Sequence, residues 1–311
     1  MASPNQVACV FPGQGSQTVG MGKDLYEAFP SARALIDQAD KALGVPLSKL
    51  FFEGPEEELR QTINAQPALV TVSYACLTVI RELAKGEPPA FLAGHSLGEY
   101  TALAAANVID FPTAVYLARE RGRLMQEAGA LTPGAMVAVL GMEEAALNAV
   151  CQETGTNIAN YNAPGQLVIS GAAENVAKAA ELAKARGAAR AVPLQVSGAF
   201  HSPLMKPAEE GLTKIIAGMT FRDPQVPIIG NTTATALTTA DQVKAELTRQ
   251  LCNGVQWQRS VEYMVSRGVQ MFIEIGPGKV LTGLVKRIDK NVATLNLGDA
   301  AGIKGFAGQA R

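Results

Sequence analysis

Residues 90–106 read Ala90-Phe91-Leu92-Ala93-Gly94-His95-Ser96-Leu97-Gly98-Glu99-Tyr100-Thr101-Ala102-Leu103-Ala104-Ala105-Ala106. The opening apolar run is short enough for a buried strand, and the alanine-rich tail reads as a helix. Between them, Gly94–Gly98 fits the pattern G-x-S-x-G, in the strand–turn–helix context that a nucleophile elbow requires. The glycines have a physical reason. A side chain two residues to either side of the serine would clash with the neighbouring strand and helix. In such a turn Ser96 Oγ projects above the sheet, and the N–H of Leu97, at a helix N-terminus, faces any oxyanion that develops there.

The same joint recurs on both sides. Val7–Phe11 runs into Pro12-Gly13-Gln14-Gly15-Ser16-Gln17, and Met271–Ile275 into Gly276-Pro277-Gly278. Ala68–Leu83 and Phe111–Ala128 have helical periodicity, with Pro112 in a first turn where proline is tolerated. Helices are also expected near Leu204–Gly218, Gln242–Leu251, Ser260–Arg267 and Val280–Ile288, and a short strand at Val226–Ile229. Strand, glycine turn and helix in repetition predict an α/β fold with a parallel sheet.

The middle differs. Met136–Leu140, Asn157–Tyr161, Leu167–Ser170 and Ala189–Val196 read as strands, and Glu143–Glu153 and Ala172–Arg186 as helices. That β-α-β-β-α-β order is the ferredoxin-like pattern. Thr132-Pro133-Gly134 and Ser197-Gly198 bound it, so residues 132–196 are expected to form a small subdomain. It would be inserted into a larger, discontinuous α/β domain of residues 1–131 and 197–311.

Composition narrows the function classes. Of 311 residues, 48% are hydrophobic and 18% charged, which predicts a packed globule. Lys+Arg number 27 against 28 Asp+Glu, so nothing marks a nucleic-acid or anionic-membrane partner. Cys9, Cys76, Cys151 and Cys252 include no C-x-x-C and read as reduced thiols, neither a disulfide framework nor a zinc site. With only two histidines, no metal site is expected. No apolar run approaches the length of about 20 residues that spans a membrane. The first residues lack the basic and apolar regions of a secretory signal. A bacterial cytoplasm is expected, or a plastid or mitochondrial matrix after removal of a transit peptide.

A serine nucleophile needs a base. His95 is adjacent in sequence and diverges from Ser96 on a sharp turn, which leaves His201, where the insert returns to the main domain. No carboxylate is marked as its orienting partner; a backbone carbonyl or an amide can serve, giving a Ser–His dyad. Arg121 falls on the apolar stripe Ala114, Leu117, Ala118, Leu124, Met125, Ala128 of its helix. An inward arginine must find an anion. A structural ion pair and a fork for a substrate carboxylate both satisfy that. Gly13-Gln14-Gly15 lacks the third glycine of a dinucleotide loop, since position 18 is Thr; its N–H groups suit a second oxyanion donor. Glu56-Glu57-Glu58 reads as a solvated helix start, and Gly276-Pro277-Gly278 as a tight turn.

Together these motifs resemble the malonyl-CoA:acyl-carrier-protein transacylase family. The resemblance rests on Phe11–Gln17 with Gly20-Met21-Gly22, and on Gly94–Tyr100. It rests also on Arg121-Gly122 with Met125-Gln126, Phe200-His201-Ser202, Gln250-Leu251 before Val255-Gln256-Trp257, and Glu274–Lys279. It implies a hydrolase-like α/β core with a ferredoxin-like subdomain, and ping-pong transfer of malonyl from malonyl-CoA to acyl carrier protein for fatty-acid synthesis. By resemblance, Ser96 is the nucleophile and His201 its base. Gln14 and Leu97 supply the oxyanion N–H groups, Arg121 binds the malonyl carboxylate, and Gln250 orients the histidine. Met125 is implied to contact the substrate, Phe200 to select the small malonyl group, and Asn162 to line the pantetheine cleft. Gly254 departs from the proline that relatives often carry. No cofactor is implied, because the phosphopantetheine belongs to the carrier, and a monomer is expected. Rival readings are a free-standing polyketide-type acyltransferase, a serine thioesterase or esterase, and a non-catalytic carrier-binding module.

Overall fold

Among the described residues, ten strands carry the architecture: β1 (Val7–Phe11), β2 (Phe91–Gly94), β3 (Gly134–Leu140), β4 (Asn157–Ala163), β5 (Gln166–Ala172), β6 (Arg190–Pro193), β7 (Ile228–Ile229), β8 (Ala236–Leu237), β9 (Met271–Ile275) and β10 (Ala293–Leu297). They belong to a computed structural model that describes residues 6–84, 86–196 and 198–309. Ser197, an expected boundary, lies outside the described residues, as do residues 1–5, 85, 310 and 311.

One sheet has the order β10-β9-β1-β2-β7-β8, with all neighbours parallel except the final β7–β8 pair. Its central strands are apolar on both faces, because helices cover both sides. Phe11 pairs in register with Gly94, so β1 and β2 end together and their glycine turns lie side by side. The crevice at the carboxyl ends of such strands is where α/β sheets place ligand sites.

The second sheet is antiparallel, in the order β4-β5-β3-β6. Its faces separate with period two. Val137, Val139, Leu167 and Ile169 pack under the helices Glu144–Thr154 and Ala173–Ala185. Met136 and Val168 join the core of the parallel sheet, which fixes one sheet against the other.

Two long helices form the wall behind the site. Thr62–Leu83 begins six residues before its expected start and contains Pro67. A proline in the second turn removes only one backbone bond. This helix is long and apolar enough to cross a membrane by length and composition, but its apolar surface is mostly buried inside the protein. Its partner, Phe111–Leu131, starts with Pro112 in the first turn and is capped by Asp110, which accepts from Thr113 N–H at 2.9 Å. Gly122 lets them touch: a Cβ there would lie 2.6 Å from Thr62 O.

Several further elements complete the fold, among them the helix that starts at Glu56. The helices Lys23–Ala28, Leu47–Glu53 and Glu56–Arg60 are too short to show a period, and Gly44, Pro46 and Gly54-Pro55 set them and the longer Pro30–Leu43 apart. Strand β10 is an edge with only Leu297 fully buried, and the helix Ala300–Gln309 covers it from the chain end. Strand β8 is two residues long, too short to register.

Candidate active site

The elbow is built from backbone contact. A Cβ on Gly94 would collide with the Gly98 carbonyl, and one on Gly98 with the carbonyl of Phe11. A Cβ on Gly13 would strike the His95 carbonyl, so the first glycine turn rests directly on the elbow. Ser96 is held at φ 51°, the left-handed region that non-glycine residues seldom occupy. Asn231 fixes it there: its Oδ1 accepts from Ser96 N–H at 2.6 Å, and its Nδ2 donates to Gly94 O at 2.7 Å. Asn231 was not singled out from the sequence. Its signal was the Gly230-Asn231-Thr232-Thr233 turn after β7, which carries no pattern of its own.

His201 also sits at positive φ, 55°, in the loop that returns from the second sheet. Ser202 tightens that loop by donating from Oγ to Ala199 O at 2.7 Å and accepting from Leu204 N–H. The result brings His201 Nε2 to 2.7 Å from Ser96 Oγ. His201 Nδ1 lies 2.8 Å from the main-chain oxygen of Gln250. A carbonyl only accepts, so Nδ1 carries the proton and Nε2 is left to accept from the serine hydroxyl. Burial, reinforced by the Arg121 charge, pushes the imidazole down to about 3, which keeps the ring neutral and leaves Nε2 free to accept a hydrogen bond.

The contacts of Gln250 and Asn162 are more specific than the sequence implies. Gln250 meets the histidine through its backbone carbonyl, not its amide side chain. The amide instead accepts from Arg121 at 2.9 Å and donates to Ser96 O and to buried Glu99. Asn162 does not line the cavity; its Oδ1 pairs with His95 Nε2 at 2.8 Å, and Asn160 takes the cavity wall. The cause is a register shift between Tyr161 and Ala163, which breaks the alternation of β4. His95 thus tethers the elbow to the second sheet.

Arg121 is completely buried. Its Nη1 donates to Gln66 Oε1 at 2.9 Å, and its Nη2 donates to Ser96 Oγ at 3.0 Å as well as to Gln250. Among the described residues it forms no ion pair; its hydrogen bonds go to two amides and the serine hydroxyl, its guanidinium lies 5.5 Å from the centre of the Tyr100 ring, and buried Glu99 acts on it from farther off. Burial lowers its pKa from the usual arginine value. The Glu99 carboxyl is pushed well above the usual carboxylate range, first by burial and then by nearby Glu246.

A cavity of about 360 Å³ joins these groups. Gln14, Ser96, Arg121, Met125, Phe200 and His201 all line it. Leu97 is buried directly behind the serine and caps the helix Gly98–Ala105, which points its N-terminus at the site. Glu56, read as merely solvated, stands at the cavity with Arg60, its partner at 2.6 Å; Arg60 also bonds Gln195 beyond β6. The space therefore lies between the two sheets. It offers a nucleophile with its base and, among the described residues, a guanidinium outside any ion pair, equipment suited to transferring an acyl group that carries a second, anionic end.

Comparison with known proteins agrees. The family model described as acyl transferase domain matches residues 8–302. The chain is 49% identical over 300 residues to the malonyl CoA-acyl carrier protein transacylase of Bacillus subtilis, covering 95% of this chain and 94% of that one. Among solved structures, an acyl carrier protein S-malonyltransferase from Vibrio cholerae superposes with a TM-score of 0.93 at 44% identity, covering 97% of this chain and 99% of that one. A malonyl-transacylase in complex with a type II PKS acyl-carrier protein also gives 0.93, at 42% identity over 98% and 99% of the two chains.

Proposed function

Because the chain belongs to the acyl transferase family, among the malonyl CoA-acyl carrier protein transacylases, we propose that its cavity moves malonyl from malonyl-CoA to the carrier's phosphopantetheine thiol in two half-reactions. The enzyme serves fatty-acid synthesis. The observation that carries the reading is the buried guanidinium of Arg121, in no ion pair among the described residues and 3.0 Å from the nucleophile.

Ser96 gives its proton to His201 Nε2 as Oγ attacks the thioester carbon. The N–H groups of Gln14 and Leu97 stabilise the oxyanion, and the helix N-terminus behind Leu97 adds to their field. The carbon–sulfur bond breaks, and the departing CoA sulfur takes the proton from Nε2. The carrier thiol then repeats the steps in reverse on the malonyl-serine ester. Arg121 clamps the malonyl carboxylate, and Met125 and Phe200 limit the room beside it. The Gln250 carbonyl holds the imidazole ring through both steps. Written so, the reaction uses only the chain and its two substrates, with no resident cofactor. We read the parallel sheet with its helices as a hydrolase-like domain of 1–131 and 197–311, and 132–196 as a ferredoxin-like insert. The strand order β6-β3-β5-β4 supports the latter. A monomer in a bacterial cytoplasm is the setting that fits this reading.

Malonyl transfer from malonyl-CoA to holo acyl carrier protein, run beside Ser96→Ala, tests it. Transfer that is lost in the variant is expected; steady CoA release without an acceptor would make the chain a thioesterase. The neighbour bound to a type II PKS carrier keeps a second reading in view, transfer to a polyketide carrier. Rates on fatty-acid and polyketide carriers, measured side by side, separate the two.

A further inference from the structure

Arg121 is gripped by two amide oxygens, and the surrounding network dictates which end of each amide faces it. Gln66 is completely buried, and its Nε2 donates to Met125 Sδ at 3.3 Å, so Oε1 must face the guanidinium. Gln250 spends its Nε2 on Ser96 O and Glu99, so its Oε1 faces Arg121 as well. Neither amide carries charge. A glutamate has nearly the same shape as glutamine and, at 2.9 Å from Nη1, would form a buried ion pair there.

We propose that Gln66 is a specificity-determining positioning residue, whose neutral oxygen aims Arg121 at the acyl pocket while leaving the guanidinium charge unspent for a carboxylate-bearing acyl group. Gln66 itself is not part of the cavity wall, and it acts through Arg121. A carboxylate at this position would compete with the substrate for the same cation. The favoured substrate would then shift from anionic acyl groups towards neutral ones. This inference rests on the reading of Arg121 as the carboxylate clamp.

The test measures kcat and KM for malonyl-CoA and acetyl-CoA in Gln66→Glu, Gln66→Met and Arg121→Ala, with holo acyl carrier protein as acceptor. In Gln66→Glu the malonyl-to-acetyl ratio of kcat/KM should fall at least tenfold, mostly through the malonyl-CoA KM. In Gln66→Met, which keeps the charge and loses one anchor, the ratio should fall about threefold, again through KM. Equal falls on both acyl groups in either variant, or equal ratios in the two, overturn the proposal. Should Gln66→Glu fail to fold, the selective KM rise in Gln66→Met decides alone. Arg121→Ala separates the failures: if it too loses no malonyl preference, the clamp reading is what falls.

Discussion

Arg121 Nη2 lies 3.0 Å from Ser96 Oγ, so the buried cation and the nucleophile share a hydrogen bond before any substrate arrives. That distance ties acyl selection to the reacting atom. A carboxylate clamped by the guanidinium leaves the other end of a three-carbon acyl group within reach of the serine. Replacing Arg121 with alanine removes a charge-assisted, forked contact worth about 1.5–3 kcal/mol or more, which is roughly 10- to 150-fold or beyond. Arg121→Ala should therefore cut kcat/KM for malonyl-CoA by about that factor and reduce acetyl turnover far less. Steady-state rates on the two thioesters check it, and equal losses on both would remove the clamp from the account.

The neutral state of His201 has a pH signature. Its folded pKa lies near 3 and its unfolded value near 6.5, because burial and Arg121 both disfavour the imidazolium. The base stays deprotonated as pH falls through 6, so malonyl transfer should show no acid limb centred near 6.5. Between 6.5 and about 3 the unfolded chain binds a proton that the folded chain does not, so stability is lost as pH falls through that window. The slope is at most about 1.4 kcal/mol per pH unit from this group. Denaturant titrations of the wild type and His201→Ala should differ by that slope below pH 6.5 and run parallel above it.

Asn231 holds the elbow from below, through Ser96 N–H and Gly94 O. In Asn231→Ala the buried Gly94 carbonyl and the half-buried Ser96 N–H lose their partner, at a cost of about 1–3 kcal/mol. Ser96, no longer held in the left-handed region, should also lose its alignment with His201. The expected result is a lowered melting temperature with kcat reduced at least tenfold and KM for malonyl-CoA little changed. A variant that melts lower but keeps kcat would limit Asn231 to a structural role.

What the sequence disclosed depended on whether backbone or side-chain chemistry did the work. The elbow at Gly94–Gly98 was legible because close backbone approach demands glycine at fixed spacing, and spacing is visible in a string. Arg121 was legible because a charge on an apolar helical stripe is an anomaly. Gln66 is the same kind of anomaly on the facing helix, but a neutral amide stands out less than a cation. Asn231 becomes a partner of the site only when β7 is laid beside β2, and Glu99 only when Gln250 is brought to it, which no local pattern announces. The different placement of Asn160 and Asn162 is hidden for a related reason: β4 shifts register between Tyr161 and Ala163, with Asn162 on His95 and Asn160 at the cavity.

The central claim is that Ser96 carries the malonyl group between two thiols. Intact-protein mass spectrometry after brief exposure to malonyl-CoA, with no acceptor present, tests it most directly. A malonyl adduct is predicted on the wild type, absent from Ser96→Ala and discharged on addition of holo acyl carrier protein. CoA release with no adduct, or an adduct that persists in Ser96→Ala, would contradict it.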